Sequence, residues 1–117
     1  MEKRIENVVI KSTMLGTQDH GIMTFMLYLE GDGWGCGFGG YCLDTYDPIV
    51  KDRVGVASGL QAIMEVLKTL EVERWEDLKG KFIRCEIGGI GDGITKIGHL
   101  MKDKWFSLKD FFKEKGE

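Results

Sequence analysis

Phe82 and Arg84 stand two residues apart in a segment whose apolar residues alternate as Ile83, Cys85 and Ile87. In a strand, that alternation puts Phe82, Arg84 and Glu86 together on the face opposite the apolar set. An aromatic ring beside a guanidinium is a platform for a purine and its phosphates. Stacking contributes ~1–3 kcal/mol per base, and the planar fork of arginine takes phosphate oxygens. The competing role for Phe82 is a core position beneath the last helix. Asp92, between Gly91 and Gly93, also has two readings: a turn residue at a hairpin tip, or an acid that contacts a ligand.

Covalent catalysis needs a nucleophile with a base beside it. Cys36 and Cys42 are the candidate nucleophiles and His20 and His99 the candidate bases, but no local signature joins any two of them. The paired acids Asp44 with Asp47, and Glu76 with Asp77, sit in loop-like stretches where capping or solvation explains them. A zinc site made from the same cysteines and histidines lacks a close ligand pair. Gly35-Cys36-Gly37-Phe38-Gly39-Gly40 spells G-x-G-x-x-G. The dinucleotide fingerprint needs a helix directly after it, and Tyr41-Cys42-Leu43-Asp44 does not start one. Gly88-Gly89-Ile90-Gly91-Asp92-Gly93 contains no Gly-Lys-Ser/Thr of the Walker type, although a glycine-rich hairpin can still turn backbone N–H groups toward an anion. The expectation is a binding protein with no catalytic residue, no metal and no cofactor.

From Gly31 to Gly39 every second residue is glycine, with Asp32, Trp34, Cys36 and Phe38 between them. One face of such a strand is bare backbone. Glycine there costs roughly 0.5–1 kcal/mol relative to alanine. Close approach of a backbone, a ligand or a second subunit is the expected reason. Trp34 and Phe38 read as sheet core on this pattern, with a place in the pocket as the alternative. The second glycine segment, next to Phe82 and Arg84, is the one expected to touch a ligand, with the first shaping the pocket from behind.

At 117 residues, 43% apolar and 30% charged, the chain has the composition of a soluble globular protein and the length of one domain, residues 1–117. A net charge of −3 argues against a DNA or RNA polymer as partner, because a phosphate backbone calls for clustered excess Lys and Arg. The lysines near the C-terminus alternate with acids, as on a solvated helix face. No apolar run approaches the ~20 residues of a membrane span, and Met1-Glu2-Lys3-Arg4 lacks the apolar core of a signal peptide. No membrane partner and a cytoplasmic location are expected. Three cysteines without a C-x-x-C pair read as reduced thiols, and Cys85 as a small core residue.

The elements that must position these residues follow from periodicity. Residues 4–14 read as a strand, Gly16 to Gly21 as a turn, and residues 22–30 as a half-buried strand with Met23, Phe25, Leu27 and Leu29 inward. The glycine-rich segment returns antiparallel as a third strand through Leu43. Asp44 to Arg53, with Pro48, reads as a loop. Leu60, Ile63, Met64, Leu67 and Leu70 form a helical stripe, with Ser58-Gly59-Leu60-Gln61 as a capping box. Trp75 and Leu78 plug the helix end. Strands over 81–87 and 94–101 follow, and Ser107 caps a final helix that buries Leu108, Phe111 and Phe112. The order β-β-β-α-β-β-α predicts an α+β fold: an antiparallel sheet of about five strands with two helices packed on it.

Several segments in order resemble a family of small phage and prophage proteins. They are Asp19-His20-Gly21-Ile22, Gly35 to Tyr41 with Leu43-Asp44, and Trp75 to Lys81 with Phe82-Ile83-Arg84. Thr95 to His99 and Lys102 to Phe106 extend the likeness over most of the chain. The family it resembles is the phage anti-Thoeris sponge family, Thoeris anti-defence protein 1. The resemblance implies a protein that sequesters, without cleaving it, the cyclic ADP-ribose isomer (glycocyclic ADP-ribose) that bacterial TIR proteins make as an infection signal. It implies homodimers or higher homo-oligomers in the cytoplasm of the infected host, some of which also capture cyclic oligonucleotides. Carried onto this chain, Phe82 would stack on adenine and Asp92 would hold the polar edge, where an acid accepts from ribose hydroxyls but repels phosphate. Lys109 and Lys113 would face the pyrophosphate. Arg84 and His99 complete the implied pocket. The alternative is a small phage structural or assembly protein whose glycine-rich strand is a subunit interface, and a hydrolase of the same signals is the third reading.

Overall fold

The computed structural model describes residues 3–89 and 91–115. Strands β1 (Arg4–Asp19), β2 (Ile22–Glu30) and β3 (Gly35–Gly39) come first, followed by a short hairpin β4 (Asp44–Asp47) and β5 (Asp52–Gly55). Helix α1 (Ala57–Leu70), strands β6 (Phe82–Ile87), β7 (Ile94–Gly98) and β8 (Trp105–Phe106), and helix α2 (Leu108–Glu114) complete the chain. The fold is α+β. Six strands form one antiparallel sheet in the order β3-β2-β1-β6-β7-β8, and β4-β5 form a second.

The first strand is longer than its β-branched core suggests. β1 continues to Asp19 and turns into β2 through His20 and Gly21, both at positive φ (54° and 77°), as a two-residue hairpin requires. β2 then pairs with β3 over Met26↔Gly39 to Glu30↔Gly35. The third strand stops at Gly39 rather than running to Leu43. Gly39 and Gly40 both adopt positive φ (135° and 85°), which takes the chain off the sheet and buries Leu43 beneath α1.

Two further expectations are corrected. Asp44–Arg53 is not a loop: Asp44↔Gly55 to Asp47↔Asp52 pair, and Pro48 lies in the turn between them. The hairpin is anchored by Arg53, which donates from Nε and a terminal nitrogen to Asp44 at 2.9 and 2.8 Å. The buried face of α1 is also rotated from the stripe of large residues. Gly59, Ala62, Val66, Thr69 and Leu70 are buried, whereas Leu60 and Met64 are exposed. A Cβ at Gly59 would collide with the Leu43 carbonyl, so the small residues let the helix lie directly on that segment. Val56 is the N-cap and the capping box does not form.

The core lies on one face of the large sheet, where Ile10, Phe25, Leu27, Ile83, Cys85 and Ile97 meet the helices. Leu78 is fully buried, and Trp75 packs edge-on against Phe25 at 5.4 Å. Expected strand 94–101 ends at Gly98, and the chain returns as β8, a sixth strand pairing Ile97↔Phe106 and Gly98↔Trp105. Ser107 caps α2, its hydroxyl accepting from the Asp110 N–H at 3.3 Å. The sheet curls strongly. Phe38 of β3 and Phe106 of β8, from the two ends of the strand order, bring their rings to 6.4 Å.

Candidate functional site

The curl leaves a gap that does not quite close. β8 covers only Ile97 and Gly98, so the first half of β7 has no strand on the side away from β6, and the free edge of β3 stands opposite. Between them lies a cleft of about 610 Å³. Its walls are Cys36–Gly39 of β3, Asp92–Lys96 at the start of β7, and the side of α2 that carries Lys109 and Lys113. Lys3, Tyr41, Glu86, Ser107, Leu108 and Asp110 complete the lining, so an acid stands between the two lysines of α2.

Glu86 is the anchored charge of this cleft. Its carboxylate accepts from the Thr95 hydroxyl at 2.7 Å and sits 3.5 Å from Lys96 and 3.8 Å from Lys3. The Thr95 hydrogen bond, more than either lysine, holds the Glu86 carboxyl below its ordinary range. Lys96 and Lys3 are therefore partly neutralised. Lys109 and Lys113 are not: neither forms an ion pair among the described residues, and their i, i+4 spacing puts both on one side of α2. Asp92 sits in a tight hairpin in which Gly88 N–H donates to Gly93 O at 2.8 Å and Asp92 N–H to Gly89 O at 3.0 Å. Gly91 and Gly93 flank it at positive φ. Ile90, in the same glycine segment, lies outside the described residues.

Of the six residues singled out in the sequence, three meet here and three do not. Asp92, Lys109 and Lys113 line the cleft. Arg84 is occupied elsewhere: it donates to the backbone carbonyls of His99 at 2.9 Å and Lys102 at 2.7 Å and stacks on Trp105 at 4.6 Å. His99 holds the same loop from the other side. Its Nδ1 accepts from the N–H groups of Met101 and Lys102 (3.0 and 3.1 Å), and its Nε2 faces Glu71 at 3.6 Å. Phe82 is 62% exposed at the start of β6, opposite Val9, and is not a core residue beneath the last helix. It stands four steps along the strand from Glu86, roughly 13 Å.

No protein-family model matches this chain, and no curated protein or solved structure is significantly similar to it. The chemistry of the cleft therefore rests on its own residues. Cys36 lines it, but neither histidine does: His20 is in the β1–β2 turn, 2.7 Å from Asp19, and His99 is in the loop after β7. No group of three or more His, Cys, Asp or Glu positioned to hold a metal occurs among the described residues. The cleft can hold an anion against two ammonium groups that form no ion pair among the described residues, and offer carboxylates to hydroxyls. Among the described residues, no helix is long and apolar enough to cross a membrane.

Lys3, Tyr41, Glu86 and Lys96 were not expected in the cleft, and the glycine-rich strand, expected behind the pocket, forms one of its walls. Glu86 and Lys96 were findable, since β6 and β7 pair them directly. Lys3 reaches Glu86 through the β1–β6 pairing, Ile5↔Glu86, whereas Tyr41 carried no signal, because only the curl of the sheet brings it near β7.

Proposed function

We propose that this protein binds a compact phosphorylated nucleotide in the cleft and retains it intact, as a sponge for a cyclic ADP-ribose-type immune signal. The observation that carries this is the convergence of Asp92, Lys109 and Lys113, from two distant segments, on one cleft of about 610 Å³. That volume falls in the range of small-molecule sites. Two lysines without an ion pair among the described residues suit a pyrophosphate, and Asp92 suits ribose hydroxyls.

The resemblance to the anti-Thoeris sponge family supplies the ligand class, glycocyclic ADP-ribose, and the biological role, blocking TIR-dependent Thoeris defence in an infected bacterium. A sponge must compete with a receptor, which calls for a nanomolar Kd, near −12 kcal/mol. An open cleft on one chain gives that affinity only if something closes over the ligand. Phe82 lies outside the cleft of its own chain, so the adenine of a ligand whose pyrophosphate the lysines hold reaches a Phe82 ring only in a homo-oligomer. In this reading the second subunit supplies the stacking wall.

Incubation with cyclic ADP-ribose isomers, removal of free ligand and heat denaturation test the proposal. Release of unchanged ligand is expected. Release of a hydrolysed product would make the protein an enzyme. The second reading, an assembly protein, draws on the open edge of β3, and it is favoured if no nucleotide is retained or raises the melting temperature.

A further inference from the structure

The hydrogen-bond phase of β3 decides which backbone groups point into the cleft. In an antiparallel pair, residues alternate between those that exchange both N–H and C=O with the partner and those that direct both away. Two flanking bonds fix that phase. Gly31 N–H donates to Trp34 O at 2.9 Å, and Gly40 N–H donates to Phe25 O at 2.8 Å. With the register Leu27↔Phe38 and Leu29↔Cys36 between them, Cys36, Phe38 and Gly40 are the residues bonded to β2, in phase with the Trp34–Gly31 bond beyond its end. Gly35, Gly37 and Gly39 turn their N–H groups to the free edge. The glycines are thus the residues with outward amides.

Only part of that edge borders the cleft. Gly37 and Gly39 line it, together with Lys109 and Lys113, whereas Gly35 lies outside. No strand pairs with this edge among the described residues. We propose that the outward amide of Gly37, seconded by Gly39, is a phosphate-binding wall of the cleft, donating to the oxygens whose charge Lys109 and Lys113 balance. This rests on the cleft taking a phosphorylated ligand, and it adds a group that no side-chain inspection would nominate. Backbone N–H donors at a strand edge fix where a phosphate sits, while lysines supply attraction with little geometric preference.

Proline provides the test, because it removes an N–H and is tolerated on an edge where that N–H is not part of the ladder. Gly37→Pro should weaken binding of glycocyclic ADP-ribose by about tenfold or more, the loss expected for one charge-assisted hydrogen bond. Gly37→Ala, which adds the same Cβ against Met26 but keeps the N–H, should remain within about threefold, as should Gly35→Pro. Amide NMR on the wild type gives a second measurement that needs no variant. Titrated glycocyclic ADP-ribose or inorganic pyrophosphate should shift the Gly37 amide and leave Gly35 still.

A Gly37 amide unmoved by both probes overturns the proposal, as does a folded Gly37→Pro protein that binds like wild type. Pyrophosphate shifting Gly37 while no nucleotide binds keeps this wall and removes the nucleotide sponge. A nucleotide that binds without moving Gly37 does the reverse.

Discussion

The rings of Phe38 and Phe106 meet edge-to-face at 6.4 Å and 72°, although their strands stand at opposite ends of the six-stranded sheet. This contact is the clasp of the curl. It holds β3 and β7 at the separation that makes a cleft instead of a closed barrel or an open sheet. Phe38 is 4% exposed and Phe106 6%. Phe38→Ala should destabilise the protein by about 3–5 kcal/mol, as deletion of a buried ring does. Phe38→Leu should cost less, about 1–2 kcal/mol, and yet widen the cleft. Urea unfolding and ligand titration on the leucine variant check this: affinity should fall by more than the stability loss would require.

Lys109→Gln and Lys113→Gln should each raise the Kd for a phosphorylated ligand about tenfold and flatten its salt dependence, because each removes a cation from the cleft. Neither should change stability by more than ~0.5 kcal/mol, since both are exposed and without an ion pair among the described residues. Calorimetry at two salt concentrations separates these effects. Lys96→Gln is the contrast, because it also releases Glu86 from its partner at 3.5 Å.

Phe82→Ala should cost more than ~1.5 kcal/mol of binding while the fold persists, since the ring is exposed. If the ring acts across a subunit boundary, mixing Phe82→Ala with Lys113→Gln protein should regenerate intact sites. Random pairing of subunits predicts roughly a quarter of the wild-type capacity. Mixtures that bind no better than either variant alone would place the stacking wall elsewhere.

The three thiols should separate cleanly in alkylation. Cys42 is exposed and reacts without regard to ligand. Cys36 borders the cleft and should be protected when the ligand is bound. Cys85 is fully buried, and burial pushes its thiol up to about 11, so it should label only after unfolding. Mass spectrometry of the labelled peptides with and without ligand reads all three.

Acid should loosen the loop after β7 before it unfolds the protein. Glu71 accepts from Lys102 and Lys104 at 2.8 and 2.9 Å, and those bonds, Lys102 foremost, lower its carboxyl to about 2. A carboxyl depressed in the folded state contributes its stabilisation above its ordinary value near 4.5 and loses it as pH falls toward 2. Hydrogen exchange at Met101 and Lys102 should therefore accelerate, relative to the core, across that window. Uniform protection down to pH 2 would remove Glu71 from the loop's support.

What could be read in the sequence was whatever repeats along one strand or helix. The inward set of β2, the capped α2 and the return of the glycine-rich strand are local patterns, and the fold follows them. Helix α1 misled because size and burial parted company: Leu60 and Met64 look like a core stripe, but Gly59 and Ala62 permit the closer contact. Asp44–Gly55 misled because a charged, proline-containing segment masks a hairpin whose anchor is one Asp44–Arg53 pair. Arg84 and His99 looked available because their partners are backbone groups of a loop that periodicity does not describe. The cleft itself depends on the closure of the sheet, a long-range property with no sequence period.

Trp105 lies over the bare face of Gly98, with the Arg84 guanidinium 4.6 Å and the Lys96 ammonium 4.8 Å from its ring. Indole emission responds to a nearby positive charge, and Lys96 is also a wall of the cleft. Any occupant that draws that ammonium toward itself changes the electric field at the fluorophore. The protein thus carries its own optical gauge of occupancy, readable without a label.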